Sequence, residues 1–441
     1  MIAVIKCRGD AFTRRRDLVG GYYLSVTINL KYGNQELQAI ISTGRYLGEI
    51  RPNPLPEITQ PEQEIINGLR QPIGAPPVDF LARGKGRAAI VISDHTRPLT
   101  SMLVLPLLIK ELELGGLSKE SITVVIGVGN HRPVTENEKE YLLGPLYGQI
   151  KCQHSKETGY RMLGITKRGT PVEVAEPVAE ADLVIAVGCI EPHQLAGFSG
   201  GVKAVAAGAA SRRALEHNHK LGTLQGNALG QVEGNIVRRD MEEFAQIAGL
   251  HFIINIVLNE EQRVVQVAAG DPIKAHRAGE VTAGAMCCVK LHEAADIVVV
   301  SPGGTPKDDT VYQAQKSVRN ALRAVVQGGI IIVAAKCPEG FGDPVFEEWM
   351  NAASSPKDIE RRSAREFVLG GHKGAFIAQA VNQARIFWVS DMEQAQVRKL
   401  FFEPFSSLQE AVDAAAAIKG GDARVLVMPY GGLTVPGGSI K

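Results

Sequence analysis

The chain has 441 residues and a mass of 47.4 kDa, more than one ordinary domain holds, so two domains are expected. Hydrophobic residues make up 45% and charged residues 22%, which supports a sizeable core and excludes a wholly disordered or fibrous chain. Lys and Arg total 48 against 47 Asp and Glu, and a formal charge of +1 argues against a dedicated nucleic-acid binder. No apolar run reaches the ~18–20 residues of a membrane span. Residues 1–16 place a short apolar start before Arg14, Arg15 and Arg16, the reverse of a secretory signal. Six cysteines show no CxxC or metal spacing, so reduced thiols and a cytoplasmic protein are expected.

Residues 1–21 read as an N-terminal arm. Alternation over Leu24–Tyr32, then Gly33-Asn34, then Leu37–Ile41 predicts a β-hairpin. Residues 51–62 hold four prolines and form a loop, with Pro61 suited to start a helix over Glu62–Leu69. After that one pattern recurs: a short apolar run, a turn of Gly, Pro or polar residues, then a helical stretch. Strands are expected at Ala88–Ile92, Ile122–Ile126, Leu183–Val187, Ile297–Val300, Ile330–Ala334 and Val425–Met428. Strands alternating with helices imply an α/β fold with mostly parallel sheets. A boundary is expected near 270–295, giving a domain over 22–272 and a C-terminal α/β domain over 273–441. The expected active-site cleft lies between them.

In open α/β sheets ligands sit outside the carboxyl ends of the strands. The candidate residues fall there. Asp94-His95-Thr96-Arg97-Pro98 follows the first core strand; Arg97 could fork onto a carboxylate or phosphate, with Asp94 orienting it. The plain alternative is a capped strand-to-helix turn. His131 follows Gly127-Val128-Gly129-Asn130, which lacks the third glycine of a dinucleotide fingerprint. A solvated turn histidine is the alternative.

His193 follows the next strand, and Gly197-Phe198-Ser199-Gly200-Gly201-Val202-Lys203 follows it without matching the P-loop spacing. The small residues Ala204–Ala210 could hold Lys203 in a dry site, where desolvation would make its amine nucleophilic. A glycine turn with a surface lysine is the alternative. His217 and His219 stand on a helix suggested by Arg212–Glu216, where they diverge, so only one could meet a given metal. In the stretch Asp308–Lys316, Asp308 or Asp309 is expected to cap a helix, with Gln313 and Lys316 on one face. That face could bind a carboxylate or could simply be solvated. Gly370-Gly371-His372-Lys373 is a further turn-and-helix signature with no derived role.

Taken together, Asp94-x-Thr-Arg97-Pro, Asn130-His131-Arg-Pro, the run from His193 through Lys203 to His219, and Tyr312-Gln313-x-x-Lys316 resemble the nickel-pincer lactate racemase family. Lys203 follows His193 by ten positions and His219 follows Lys203 by sixteen, as in that family. The resemblance covers roughly residues 22–440, and residues 1–21 have no counterpart in it. It implies an isomerase that inverts C2 of a 2-hydroxy acid. It also implies a nickel ion and a pyridinium-3,5-bisthiocarboxylic acid mononucleotide, joined to Lys203 through a thioamide. By the same resemblance His219 completes the nickel coordination, and His131 and His193 are the acid/base pair. Arg97, Gln313 and Lys316 lie near substrate; Asp94 and Tyr312 support the cofactor. His95 matches a variable position and is assigned nothing.

The chemistry suits these residue types. The α-proton of a 2-hydroxy acid is very weakly acidic, so removing that hydrogen as hydride while a base takes the hydroxyl proton avoids a carbanion. Two imidazoles can each serve one enantiomer. Enzymes that make the cofactor are implied partners; nucleic acid and membrane are not. Two other classes compete: a hydrolase or lyase with zinc on His193, His217 and His219, and a non-catalytic sugar-acid or nucleotide-binding protein.

Overall fold

A computed structural model describes residues 25–42, 44–224 and 229–437. The expected arm, 1–21, lies outside the described residues. The hairpin forms as expected: Val26–Tyr32 pairs antiparallel with Gln35–Ile41, and Tyr32 faces Gln35 across the turn. Gly33 there takes φ +55°, which a side chain would resist. The helix after the proline loop runs Pro61–Arg70, with Pro61 in its first turn.

The chain gathers into two compact units that do not follow a single cut. The smaller contains the described residues up to Arg51, Lys290–Gly340 and Ile377–Pro436. The larger contains Pro52–Val289 and Phe341–Phe376. Sequence reading placed a linear boundary between 272 and 273, whereas these units interleave. Strand pairing is the reason. Arg45–Glu49 is captured by the C-terminal strand Arg424–Met428, and helix Lys274–Cys287 packs on the strands just before it.

The larger unit holds a six-stranded sheet, in order Val264–Gly270, Leu250–Leu258, Leu183–Cys189, Ala88–Ser93, Ile122–Gly127 and Lys151–His154. All neighbours are parallel except the first pair. Alternate residues serve opposite faces. Ile90, Ile92, Val124 and Ile126 join one apolar core, while Ala89, Val91 and Val125 join the other. Both faces are therefore covered, which explains why these strands read as unbroken apolar runs. Each such isoleucine or valine contributes roughly 1.5–3 kcal/mol by leaving water.

Chain order reverses between Ala88–Ser93 and Leu183–Cys189: later strands are added on one side, then on the other. Such a switch point leaves a crevice outside the carboxyl ends of the two strands.

The smaller unit holds a fully parallel six-stranded sheet: Glu403–Phe405, Ala384–Val389, Val325–Ala334, Ala295–Val300, Arg424–Met428 and Arg45–Glu49. Ile28 and Leu30 of the hairpin pack with Ile297, Val299, Ile330 and Ile332 on one face. Among the described residues no helix is long and apolar enough to cross a membrane.

Candidate active site

Three adjacent central strands of the larger unit end in the candidate motifs. Asp94 to Arg97 follow Ala88–Ser93, His131 follows Ile122–Gly127, and His193 with Lys203 follows Leu183–Cys189. Asp94 is 3% exposed. Its Oδ2 lies 2.6 Å from His131 Nδ1, and its Oδ1 accepts from the Thr96 hydroxyl at 2.7 Å. Burial alone would raise its pKa, but the His131 imidazole, Arg97 and Thr96 outweigh that and hold the carboxyl well below its ordinary range. Sequence reading had Asp94 orient Arg97 or stand in a supporting shell; its carboxylate makes a short contact to His131 and also lies within electrostatic reach of Arg97. A carboxylate can only accept, so His131 carries its hydrogen on Nδ1 and Nε2 is the basic nitrogen.

His193 sits on a two-residue ribbon, Pro192–His193, paired with Gly197–Phe198. Its Nδ1 accepts from the Leu195 and Ala196 amides at 3.3 and 3.2 Å. The neutral ring therefore bears its hydrogen on Nε2. The two histidines hold opposite tautomers, one offering a basic nitrogen and the other an N–H.

The small residues after Lys203 explain how its strand end reaches that of His131. Ala204–Gly208 forms a wide turn with Ala209 N donating to Ala204 O, a local widening often found at functional sites. A Cβ on Gly127 would stand 2.9 Å from the Gly208 backbone, and Gly129 N donates to Gly208 O at 3.0 Å. Side chains at Gly127 or Gly208 would separate the turn that carries His131 from the turn that follows Lys203.

Lys203 is part-buried, and its pKa is pushed down to about 7, by burial first and then by the Arg97 guanidinium. A large fraction of its amine is therefore neutral near pH 7, the nucleophilic form. The dry-site expectation fits better than the surface-lysine alternative.

His219 lies on the helix Arg212–Leu221, which begins at the Ser211 cap. The helix is pinned by Asp240, 0% exposed, which accepts from Asn218, Thr166 and Thr170 at 2.8, 2.6 and 2.7 Å. His217 turns to the Thr170 hydroxyl at 3.0 Å, so the two helix histidines diverge as expected. His219 Nδ1 is buried, with no hydrogen-bond partner among the described residues. Burial, then Lys203 and Lys373, push its pKa down to about 3. It is a neutral imidazole at any ordinary pH, with a lone pair available.

Sequence reading left His372 and Lys373 without a role. The segment Phe341–Phe376 returns to the larger unit and brings His372 edge-on to His219, ring centroids 6.3 Å apart. Asp343 accepts from Asn130 at 2.6 Å, and Glu216 accepts from the Leu369 amide at 3.0 Å. Only the glycine pair before His372 hinted at this, and it gives no partner.

Gln313 and Lys316 share a face of the helix Val311–Ala321 in the smaller unit, where Lys316 Nζ donates to Gln313 Oε1. Tyr312 is 9% exposed. Thr310, not Asp308 or Asp309, caps this helix. Asp308 is instead buried and accepts from the Gly33 and Lys336 amides at 2.7 and 3.2 Å. His95 lies 3.7 Å from Glu138. Among the described residues no three His, Cys, Asp or Glu side chains converge to hold a metal, so a zinc site on His193, His217 and His219 is not formed.

A cofactor held by one lysine and one imidazole fits these residues. About half of the amine is neutral near pH 7, and the imidazole nitrogen has no hydrogen-bond partner among the described residues. A metal here would need its other ligands from a bound group.

Comparison with known proteins identifies the family. The family model "Lactate racemase N-terminal domain" matches residues 32–230, and "Lactate racemase C-terminal domain" matches residues 290–435. The lactate racemase of Thermoanaerobacterium thermosaccharolyticum is 31% identical over 417 residues, 92% of this chain and 97% of that protein. The lactate racemase of Lactiplantibacillus plantarum is 29% identical over 423 residues, 92% and 98%. The apoprotein structure from Thermoanaerobacterium thermosaccharolyticum matches with a TM-score of 0.84 at 30% identity, covering 93% of this chain and all of that one. A Thermotoga maritima protein at 17% identity shares the fold, with a TM-score of 0.66. With two domain matches spanning most of the chain, the protein belongs to the lactate racemase family and is an isomerase of the racemase class.

Proposed function

We propose that the protein inverts C2 of a 2-hydroxy acid, lactate or a close relative, with a nickel-pincer nucleotide tethered to Lys203. The observation that carries this reading is the pairing of a partnerless neutral imidazole, His219, with a desolvated Lys203 amine. Lys203 forms the thioamide and His219 supplies one nickel ligand. When bound, this group supplies a reversible acceptor for hydride from C2.

The chain's own residues handle the protons and the carboxylate. Asp94 holds His131 in the tautomer whose Nε2 takes the substrate hydroxyl proton. His193 Nε2, the nitrogen that the Leu195 and Ala196 amides leave free, is the second acid/base position, and as an imidazolium His193 returns a proton to the oxygen of the 2-keto acid. One ring begins neutral and takes the hydroxyl proton while the other begins protonated and gives one, and the opposite enantiomer uses them in exchanged roles. Arg97 neutralises the carboxylate. Gln313 and Lys316 are assigned to the substrate and Tyr312 to the cofactor on the family resemblance. Asp94, assigned there to the cofactor, acts through His131.

A cytoplasmic location and a dependence on cofactor-making enzymes belong to the same proposal. Its test is a chiral assay of protein produced beside those enzymes, with D- and L-lactate and longer 2-hydroxy acids offered separately. Either enantiomer of at least one acid should relax to an equal mixture. No interconversion by nickel-loaded protein across that series would refute it.

A further inference from the structure

The turn that ends in Lys203 is held from beneath by buried polar groups that no chemical step uses. Gly200 and Gly201 take φ +75° and +57°, the region that favours glycine. A Cβ on Gly201 would stand 2.5 Å from the His276 ring, and one on Gly200 would stand 2.9 Å from Asn255 Oδ1. Asn255 Oδ1 accepts from Gly201 N at 2.6 Å. His276 Nε2 lies 2.7 Å from Ser199 O, an oxygen that can only accept, so Nε2 carries a hydrogen and donates it. Arg238 donates to Phe198 O at 3.4 Å and sets its guanidinium against the His276 ring. Three of the four residues from Phe198 to Gly201, all but Gly200, are therefore fastened by side chains.

Those side chains are deeply buried: His276 is 0% exposed, Asn255 1% and Arg238 1%. Asn255 interrupts a strand, Leu250–Leu258, that is otherwise almost wholly apolar. His276 and Arg238 come from two helices and are backed by Glu280, 2.5 Å from His276 Nδ1, and by Glu242, 3.3 Å from Arg238 Nε. Packed hydrophobic residues usually stabilise a core at least as well as such a buried charge cluster. Its geometry points to another use, because its bonds converge on one turn.

We infer that Asn255 and His276, with Arg238 behind them, are positioning residues for Lys203, fixing the Gly200-Gly201 turn so that the amine emerges beside Arg97 and His219. The inference rests on Lys203 as the attachment point.

Three variants test it: His276→Leu, His276→Gln and Asn255→Leu. Gln keeps a donor toward Ser199 O; Leu does not. Each protein is produced beside the cofactor-making enzymes, and the fraction carrying the covalent mass, the kcat of the loaded fraction and the KM are measured, with the melting temperature as a control of folding. The two Leu variants should carry the addition on fewer than about a tenth of molecules, or turn over at least tenfold more slowly per loaded molecule, with KM within about twofold. His276→Gln should recover at least half of the wild-type loading. Wild-type loading and kcat in folded His276→Leu, or a Gln variant as poor as Leu at equal melting temperature, would overturn the inference. If His276→Leu does not fold, Asn255→Leu decides by the same criteria.

Should the wild-type protein carry no addition on Lys203, the attachment reading fails, and acetic anhydride labelling of cofactor-free protein decides the positioning claim. Lys203 labelling altered at least fivefold in the Leu variants and restored by Gln supports it. Equal labelling in all of them overturns it.

Discussion

Lys203→Met in the cofactor-free protein should stabilise the larger unit, and by an amount that depends on pH. Methionine nearly keeps the volume and removes the charge. In the unfolded chain the Lys203 amine titrates at its ordinary 10.5, while in the folded protein it titrates at about 7. Between these values the unfolded state binds the extra proton, so wild-type stability rises with pH at about 1.4 kcal/mol per unit. Below pH 7 both states are charged and the folded state bears the whole cost, roughly 5 kcal/mol as an upper bound, since solvent reaching this part-buried side chain screens part of it. The advantage of the Met variant is therefore largest at pH 6–7 and shrinks by up to about 3 kcal/mol by pH 9.

The chain supplies a reporter. Its two tryptophans are both buried, Trp349 in the larger unit and Trp388 in the smaller. In a Trp388→Phe background, denaturant unfolding followed by fluorescence reads the unit that holds Lys203. A difference between Met and Lys that stays flat from pH 7 to 9, or that grows with pH, would refute the claim that Lys203 is desolvated in the folded protein.

Asp94→Asn should lower kcat by between roughly tenfold and 10⁴-fold with little change in KM, because His131 loses the partner that sets its tautomer; steady-state kinetics with each enantiomer would show it, and near wild-type kcat would contradict it. Asp94 also has a depressed pKa, so its contribution to stability is present above its ordinary 3.8 and is lost on further acidification. Acid unfolding should be less steep in Asp94→Asn than in the wild type. His131→Gln and His193→Gln should each slow racemisation in both directions by roughly 10²–10⁴. Under single turnover the two variants should form trapped 2-keto acid from opposite enantiomers, and identical preferences would show that one histidine is misassigned.

The fold was legible where local chemistry decides. Period-two alternation around Gly33-Asn34 gave the hairpin, and unbroken apolar runs gave the central strands. Strand order was not legible, because it is set by pairing between distant segments. Arg45–Glu49 is a short, half-exposed strand with a weak pattern of its own, and only its partner Arg424–Met428 makes it one. The cap of Val311–Ala321 was misread for a related reason. Asp308, Asp309 and Thr310 all suit the position, and Asp308 is drawn off by the Gly33 and Lys336 amides.

At the site, residue types left a plain alternative for each candidate, and the family resemblance singled out Arg97, His131, His193, Lys203 and His219. They could not reveal that Asp94 bonds His131, that His372 meets His219, or that Asn255 and His276 lie under the glycine turn. Each is a contact between elements far apart in the chain. A lone buried histidine such as His276 carries no local mark that separates it from any other.

The central claim is the covalent attachment at Lys203, and intact mass spectrometry of protein made beside the cofactor-making enzymes tests it most directly. The wild type should gain the mass of the thioamide-linked nucleotide, localised to the peptide bearing Lys203, with nickel bound. Lys203→Arg keeps the charge, cannot form the thioamide, and should remain folded at its unmodified mass. A covalent nucleotide on Lys203→Arg, or an active wild-type enzyme with an unmodified Lys203, would contradict the account.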